Sequence, residues 1–218
     1  MKPKIRMPKI SLGKKEIRGV LDYETTGFDK KIHGIYEVCL KIIDKDYKVI
    51  DSYTALVKPY FKRGCEPDFT PLDGEKMMDT MKRIKNEKIK EEDLIEHGCE
   101  KIHGITREMV VNDGIDPMQI TQAIDEMLFT HRCRIIVAHG AKFEEGWTNE
   151  FWERFGGEDR LNVDEWQDTC VMSKEKGGSK SHSLENLCKK YGIVNQNPHR
   201  AEGDVDATIK LLEILETT

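Results

Sequence analysis

Ile17-Arg18-Gly19-Val20-Leu21-Asp22-Tyr23-Glu24-Thr25-Thr26-Gly27 decides how this chain folds. The apolar residues make a short strand, and Thr25-Thr26-Gly27 halts it. Asp22 and Glu24 are two apart, so on a strand both side chains leave one face, while Tyr23 points to the other and reads as core. The apolar run before them makes the strand central rather than peripheral. Two like charges side by side at a partly buried site repel, and such a pair persists where something cationic neutralises it. Hard oxygen ligands at this spacing suit Mg²⁺ or Mn²⁺. A solvated strand end before a turn is the plainer alternative.

Working outward, Ile35 to Ile43 and Val49 to Val57 are rich in β-branched residues and flank Asp44-Lys45-Asp46-Tyr47-Lys48, a hairpin turn. Together with the first strand they form a meander. Pro67, Pro71 and many charges then break the rhythm. A helix is expected near Asp73–Glu96, with Met77, Met81 and Ile84 as its narrow apolar stripe, inside an insertion at about 61–101. Asp116-Pro117-Met118-Gln119 opens a helix with an N-cap and a Pro at the first helical position, and Ile120, Ile124, Met127 and Leu128 form its buried face.

Arg134–Ala138 reads as a buried strand, Phe143–Phe155 as a helix stopped by Gly156-Gly157, and Val163–Gln167 as a weaker strand. Leu184, Leu187, Cys188 and Tyr191 keep helical spacing, as do Thr208, Leu211, Leu212 and Leu215. Strands that pair first and alternate with helices later specify an α/β fold, a mixed sheet covered by helices. Counting back along the last apolar stripe puts Asp204 on the inward side at the helix start, where an unpaired carboxylate is costly. It could equally stabilise the helix dipole. His199 lies five residues earlier, after Pro198, either at the mouth of the same site or simply on the surface.

The chain has 218 residues, 34% of them charged and 38% hydrophobic. That length is expected to give a basic arm at 1–16 and a single domain over 17–218. No apolar run is long enough to cross a bilayer, and the basic start carries prolines rather than a signal-peptide core, so no membrane partner is expected. The six cysteines contain no CxxC pair and fit reduced thiols in the cytoplasm. A net charge of -5 looks unfavourable for binding phosphates. Yet residues 1–18 hold seven positive side chains against one acid, and Lys76–Lys90 six against two, leaving a strongly acidic remainder. Basic segments beside an acidic metal centre are compatible with a nucleic-acid substrate.

The motifs also resemble a family. Leu21-Asp22-Tyr23-Glu24-Thr25-Thr26-Gly27 is similar to the first motif of the DnaQ-like DEDDh 3′–5′ exonucleases, and Ile102-His103-Gly104-Ile105-Thr106 to their His-Gly-Ile-Thr segment. Val137-Ala138-His139-Gly140-Ala141-Lys142-Phe143-Glu144 resembles the second motif, Ser183–Ile193 the helix before the third, and His199-Arg200-Ala201-Glu202-Gly203-Asp204 the third. These segments run in order across residues 17–216. Two departures stand out: Glu144 takes the place of the usual Asp, and Gly140 that of the usual Asn.

The resemblance implies a ribonuclease H-like fold and metal-dependent removal of nucleoside 5′-monophosphates from single-stranded DNA or RNA 3′ ends. It implies two Mg²⁺ or Mn²⁺ ions. In that scheme Asp22 bridges them, Glu24 and Asp204 complete the shell of the first, Glu144 orients water on the second, and His199 is the general base. Thr25, Thr26 and Gly27 would contact the terminal nucleotide. Phe143 would stack on a base or pack in the core. Asp168 is the reserve site carboxylate, and His139 most simply makes a structural hydrogen bond, although it could influence Glu144. Two alternatives stay open: a proofreading partner of a polymerase or another replication or repair protein, and a module that holds nucleic-acid ends with weakened catalysis.

Overall fold

A computed structural model describes residues 17–66, 76, 78–80, 82, 90–157 and 161–217. The basic arm at 1–16 and most of the second basic stretch lie outside the described residues. The expected first strand is β1 (Arg18–Thr25), followed by β2 (Ile35–Ile43) and β3 (Val49–Leu56). They form an antiparallel meander, and β4 (Ile135–Ala138) and β5 (Glu165–Asp168) add in parallel to give the sheet order β3-β2-β1-β4-β5. β1 is therefore the middle strand, as its apolar run requires. Asp44 fixes the hairpin turn, its Oδ1 accepting from the Asp46 and Lys48 amides.

Helices α1 (Glu100–His103), α2 (Arg107–Asp113) and α3 (Pro117–Thr130) follow the meander. The α3 start is as its sequence dictates, with Asp116 accepting from the Met118 amide and Pro117 in the first turn. Next come α4 (Ala141–Phe155), α5 (Thr169–Lys176), α6 (Leu184–Tyr191) and α7 (Ala201–Thr217).

Alternation along β1 sorts the two faces of the sheet. Leu21 and Tyr23 face a core that includes Ile120 and Ile124 of α3 and Trp147, Phe151 and Trp152 of α4. Val20 faces the other way, with Cys39, Ile43 and Val137, against Ala201, Val205, Ile209 and Leu212 of α7. By the period of two, Asp22 and Glu24 share Val20's face and look toward α7. Gly19 lets the strands close, since a Cβ there would lie 2.7 Å from Ile136 Cδ1 and 2.9 Å from Leu40 Cδ1.

One expected helix is corrected in part: residues 78–80 and 82 are helical, as expected, but the end of the segment is not. The Asp73–Glu96 prediction falls largely on residues outside the description, but its C-terminal part is not α-helical. Glu91–Asp93 form a single 3₁₀ turn, and the chain then runs extended. Tertiary hydrogen bonds decide this: the Lys62 amide donates to Asp93 O at 2.7 Å and the Ile95 amide to Tyr60 O at 2.8 Å, burying Ile95.

Candidate active site

The sheet delivers Asp22 and Glu24 at the C-terminal half of β1, and α7 delivers Asp204 in its first turn. One carboxylate oxygen from each of the three lies within 4.8 Å of the others. Asp204 Oδ1 also accepts a 2.6 Å hydrogen bond from Asn195 Nδ2, which fixes its rotamer. Burial and mutual repulsion make this cluster reluctant to ionise. Burial first, then the neighbouring charges of Glu144, Asp204, Glu24 and Glu37, hold Asp22 well above the usual carboxylate range. Burial, with Asp204 and Glu37, pushes Glu24 up to about 8 against a partial pull from Arg200. Asp204 is raised by burial and pulled back by Asn195 and His199.

Glu144 arrives from the opposite layer, in the first turn of α4, only 4% exposed. Its Oε2 is buried without a hydrogen-bond partner, and burial followed by the charge of Glu24 raises it well above its ordinary value. His199 stands exposed on the turn before α7, held in the left-handed region at φ 61°. It is near enough to Asp204 to favour that carboxylate's charge.

The turn after β1 is built for shape. Thr26 is 2% exposed, its hydroxyl accepting from the Gly34 amide at 3.0 Å, so of the expected nucleotide contacts this side chain is already spent on the fold. Thr25 Oγ1 donates to Gly27 O at 3.1 Å, and a Cβ on Gly27 would sit 2.6 Å from the His33 ring. Phe143 is half-buried against the core and meets Phe28 and Trp147 edge-on, with centroids 6.1 and 6.2 Å away.

The two reserve residues lie apart from the cluster. Asp168 ends β5 and caps α5, accepting from the Gly140, Ala141 and Cys170 amides at 3.0, 3.0 and 2.8 Å. Its carboxylate thus joins the starts of α4 and α5, which makes it a helix-capping group rather than a site carboxylate. His139 pairs through Nδ1 with Thr169 Oγ1 and through Nε2 with His182 O, both at 2.9 Å, as a structural histidine would.

Three residues escaped the sequence reading. Glu37, 3% exposed, is paired in register with Glu24 and binds Arg200; a lone acid in the otherwise apolar start of Ile35-Tyr36-Glu37-Val38-Cys39-Leu40 was the available signal. Asn195 could be found only by folding, because nothing in its local sequence points to Asp204. Phe28, 85% exposed next to the Thr-Thr-Gly turn, was legible as an aromatic with no apolar neighbours to pack on.

The donor set fits divalent cations. Four acids, three of them held strongly toward the protonated form and one with an orphaned buried oxygen, converge where Arg200, Asn195 and His199 offer only partial compensation. Carboxylate oxygens are the hard ligands such ions take.

Comparison with known proteins agrees with this geometry. The Exonuclease family (RNase_T) matches residues 72–212, a span that begins downstream of Asp22 and Glu24. DNA polymerase III PolC-type of Thermotoga petrophila is 26% identical over 197 residues, covering 88% of this chain and 11% of the relative. The PolC-type polymerase of Listeria innocua is 33% identical over 196 residues, with the same two coverages. The chain therefore spans only about a ninth of the length of these relatives. Among solved structures, E. coli exonuclease I in complex with a dT13 oligonucleotide superposes with TM-score 0.64 at 19% identity, over 92% of this chain and 41% of that one. The zinc-bound exonuclease I–ssDNA complex gives 0.65 at 19%, over 94% and 41%. At such identities the likeness is one of fold, and that fold is the ribonuclease H-like mixed sheet expected from the motifs. With the family matched over most of its length, the chain belongs to the exonuclease family.

Proposed function

We propose that the chain is a 3′–5′ exonuclease of the DEDDh type, removing nucleoside 5′-monophosphates from single-stranded DNA or RNA ends with two Mg²⁺ or Mn²⁺ ions. The observation that carries this reading is the convergence of Asp22, Glu24 and Asp204 within 4.8 Å, beside a buried Glu144 and five residues from His199. Asp22, Glu24 and Asp204 would hold one ion, and Asp22 with Glu144 the other. Bound there, divalent ions would lower the pKa of an attacking water and offset charge developing on the phosphate.

The chain's own residues supply the rest. His199, exposed on its turn, takes the proton of the attacking water and can pass it to solvent. Glu144 orients that water. The turn at Thr25 and Gly27 presents backbone groups to the last nucleotide, and the Phe28–Phe143 pair offers an aromatic edge beside it. The basic stretches at 1–18 and 76–90 would hold phosphates outside the cluster. In this reading residues 17–218 form one exonuclease domain.

The test is cleavage of labelled single-stranded DNA and RNA with Mg²⁺, Mn²⁺ or chelator. Mononucleotide release that needs metal and is lost in Asp22→Ala is the expected result; activity surviving in that variant overturns the reading. The PolC-type relatives favour a second reading, in which the domain serves a polymerase as its proofreading partner. Preferential cleavage of a mismatched over a matched primer end is its signature.

A further inference from the structure

Glu37 has no place in the chemistry above, yet few side chains here are so fully engaged. It is 3% exposed in a strand whose other residues are all buried, and it sits across from Glu24 in the β1–β2 register, on the face toward α7. A third acid beside Asp22 and Glu24 adds repulsion to the cluster, which is an expensive way to fill a sheet position. What offsets it is the turn that carries His199. Arg200 Nε donates to Glu37 Oε2 at 3.0 Å and to Oε1 at 3.2 Å, Arg200 Nη2 donates to Oε1, and the Ala201 amide donates to Oε2 at 2.9 Å. One carboxylate thus grips the side chain of the residue after His199 and the first amide of α7.

The other side of that turn is closed by packing. A Cβ at Gly203 would lie 2.2 Å from Asn197 O and 2.9 Å from Asn195 Oδ1, so residues 195–197 lie directly on the first turn of α7. The backbone of His199, in the left-handed region, is thus held between these two anchors.

We infer that Glu37 is a positioning residue: through Arg200 and the Ala201 amide it sets where the His199 ring stands relative to the three carboxylates. The inference rests on the exonuclease reading for its kinetic consequence, but the tether itself is a property of the fold.

The experiment pairs kinetics with hydrogen exchange on the full chain, using Glu37→Gln, His199→Ala and the double variant. Glu37→Gln keeps volume but replaces the charged bidentate acceptor, and R200K removes the planar fork from the other side. A misplaced proton acceptor lowers kcat by about 100-fold while KM stays within about two-fold. In the His199→Ala background Glu37→Gln adds no further loss, because both changes act through one group. Amide exchange at 199–203 rises in Glu37→Gln while that of β1 does not. The inference is overturned if the two losses multiply, if KM rises as much as kcat falls, or if exchange at 199–203 is unchanged. A wild-type chain that cleaves nothing in any metal sinks the exonuclease reading instead, and exchange then still decides the tether.

Discussion

At the level of single residues the site is a compromise between folding and chemistry. Asp22 is held above its ordinary range chiefly by burial and by Glu144, so neutralising it relieves the metal-free protein. Asp22→Asn should raise the melting temperature in chelator, by a gain of about 1 kcal/mol, while abolishing both cleavage and the thermal shift on adding Mg²⁺. A melting curve lowered by the substitution would mean that repulsion is not what the cluster stores. Glu144→Gln keeps the shape of a buried side chain and removes its charge. We expect cleavage slowed by about 10- to 100-fold, with a melting temperature no lower than wild type. Wild-type kcat in that variant would relegate Glu144 to packing. Asp22, Glu24 and Asp204 were legible because strand alternation and helix periodicity are local rules, whereas Glu144 and the role of His199 were expected only through the family resemblance of their motifs. Glu37 and the link from Asp168 to the start of α4 were not legible, because their partners lie 163 and 28 residues away, and Asn195 was not, because only the fold of the loop before α7 turns it onto Asp204.

At the level of elements, the first turn of α7 is where packing and site geometry meet. Gly203→Ala puts a methyl group against the Asn197 carbonyl, and backbone cannot yield as a side-chain tip would. The substitution should cost about 1–3 kcal/mol, read from the denaturant midpoint, and should lower kcat because Asp204 and His199 share the displaced turn. The other layer behaves as an ordinary core. Phe151, 2% exposed and edge-on to Tyr60, Trp152 and Phe155, anchors α4. Phe151→Ala should cost about 3–5 kcal/mol in the same measurement. Helices with long apolar stripes were readable in advance, since burial selects i, i+3, i+4 spacing. The 3₁₀ turn and extended run at Glu91–Ile95 were not, because hydrogen bonds to Tyr60 and Lys62 override local preference.

For the molecule as a whole, the acidic cluster ties stability to pH and to metal. In the unfolded chain Glu24 loses its proton near its ordinary 4.5, whereas in the fold it keeps it to about 8. Between those values the folded state binds more protons, so metal-free stability falls as pH rises from about 4.5 to 8. The melting temperature in chelator should therefore drop across that window. Added Mg²⁺ at ten times its dissociation constant should restore about 1.4 kcal/mol at the upper end. A flat profile would remove the electrostatic account of the site. The sequence by itself determined the meander, the central position of β1 and the face shared by Asp22 and Glu24, since alternation and apolar runs act between neighbours. Only the tertiary structure decided that Asp168 caps two helix starts and that Glu37 grips the His199 turn. Those outcomes depend on hydrogen bonds between β2 and α7 or between β5 and α4, across sequence separations over which no local preference acts.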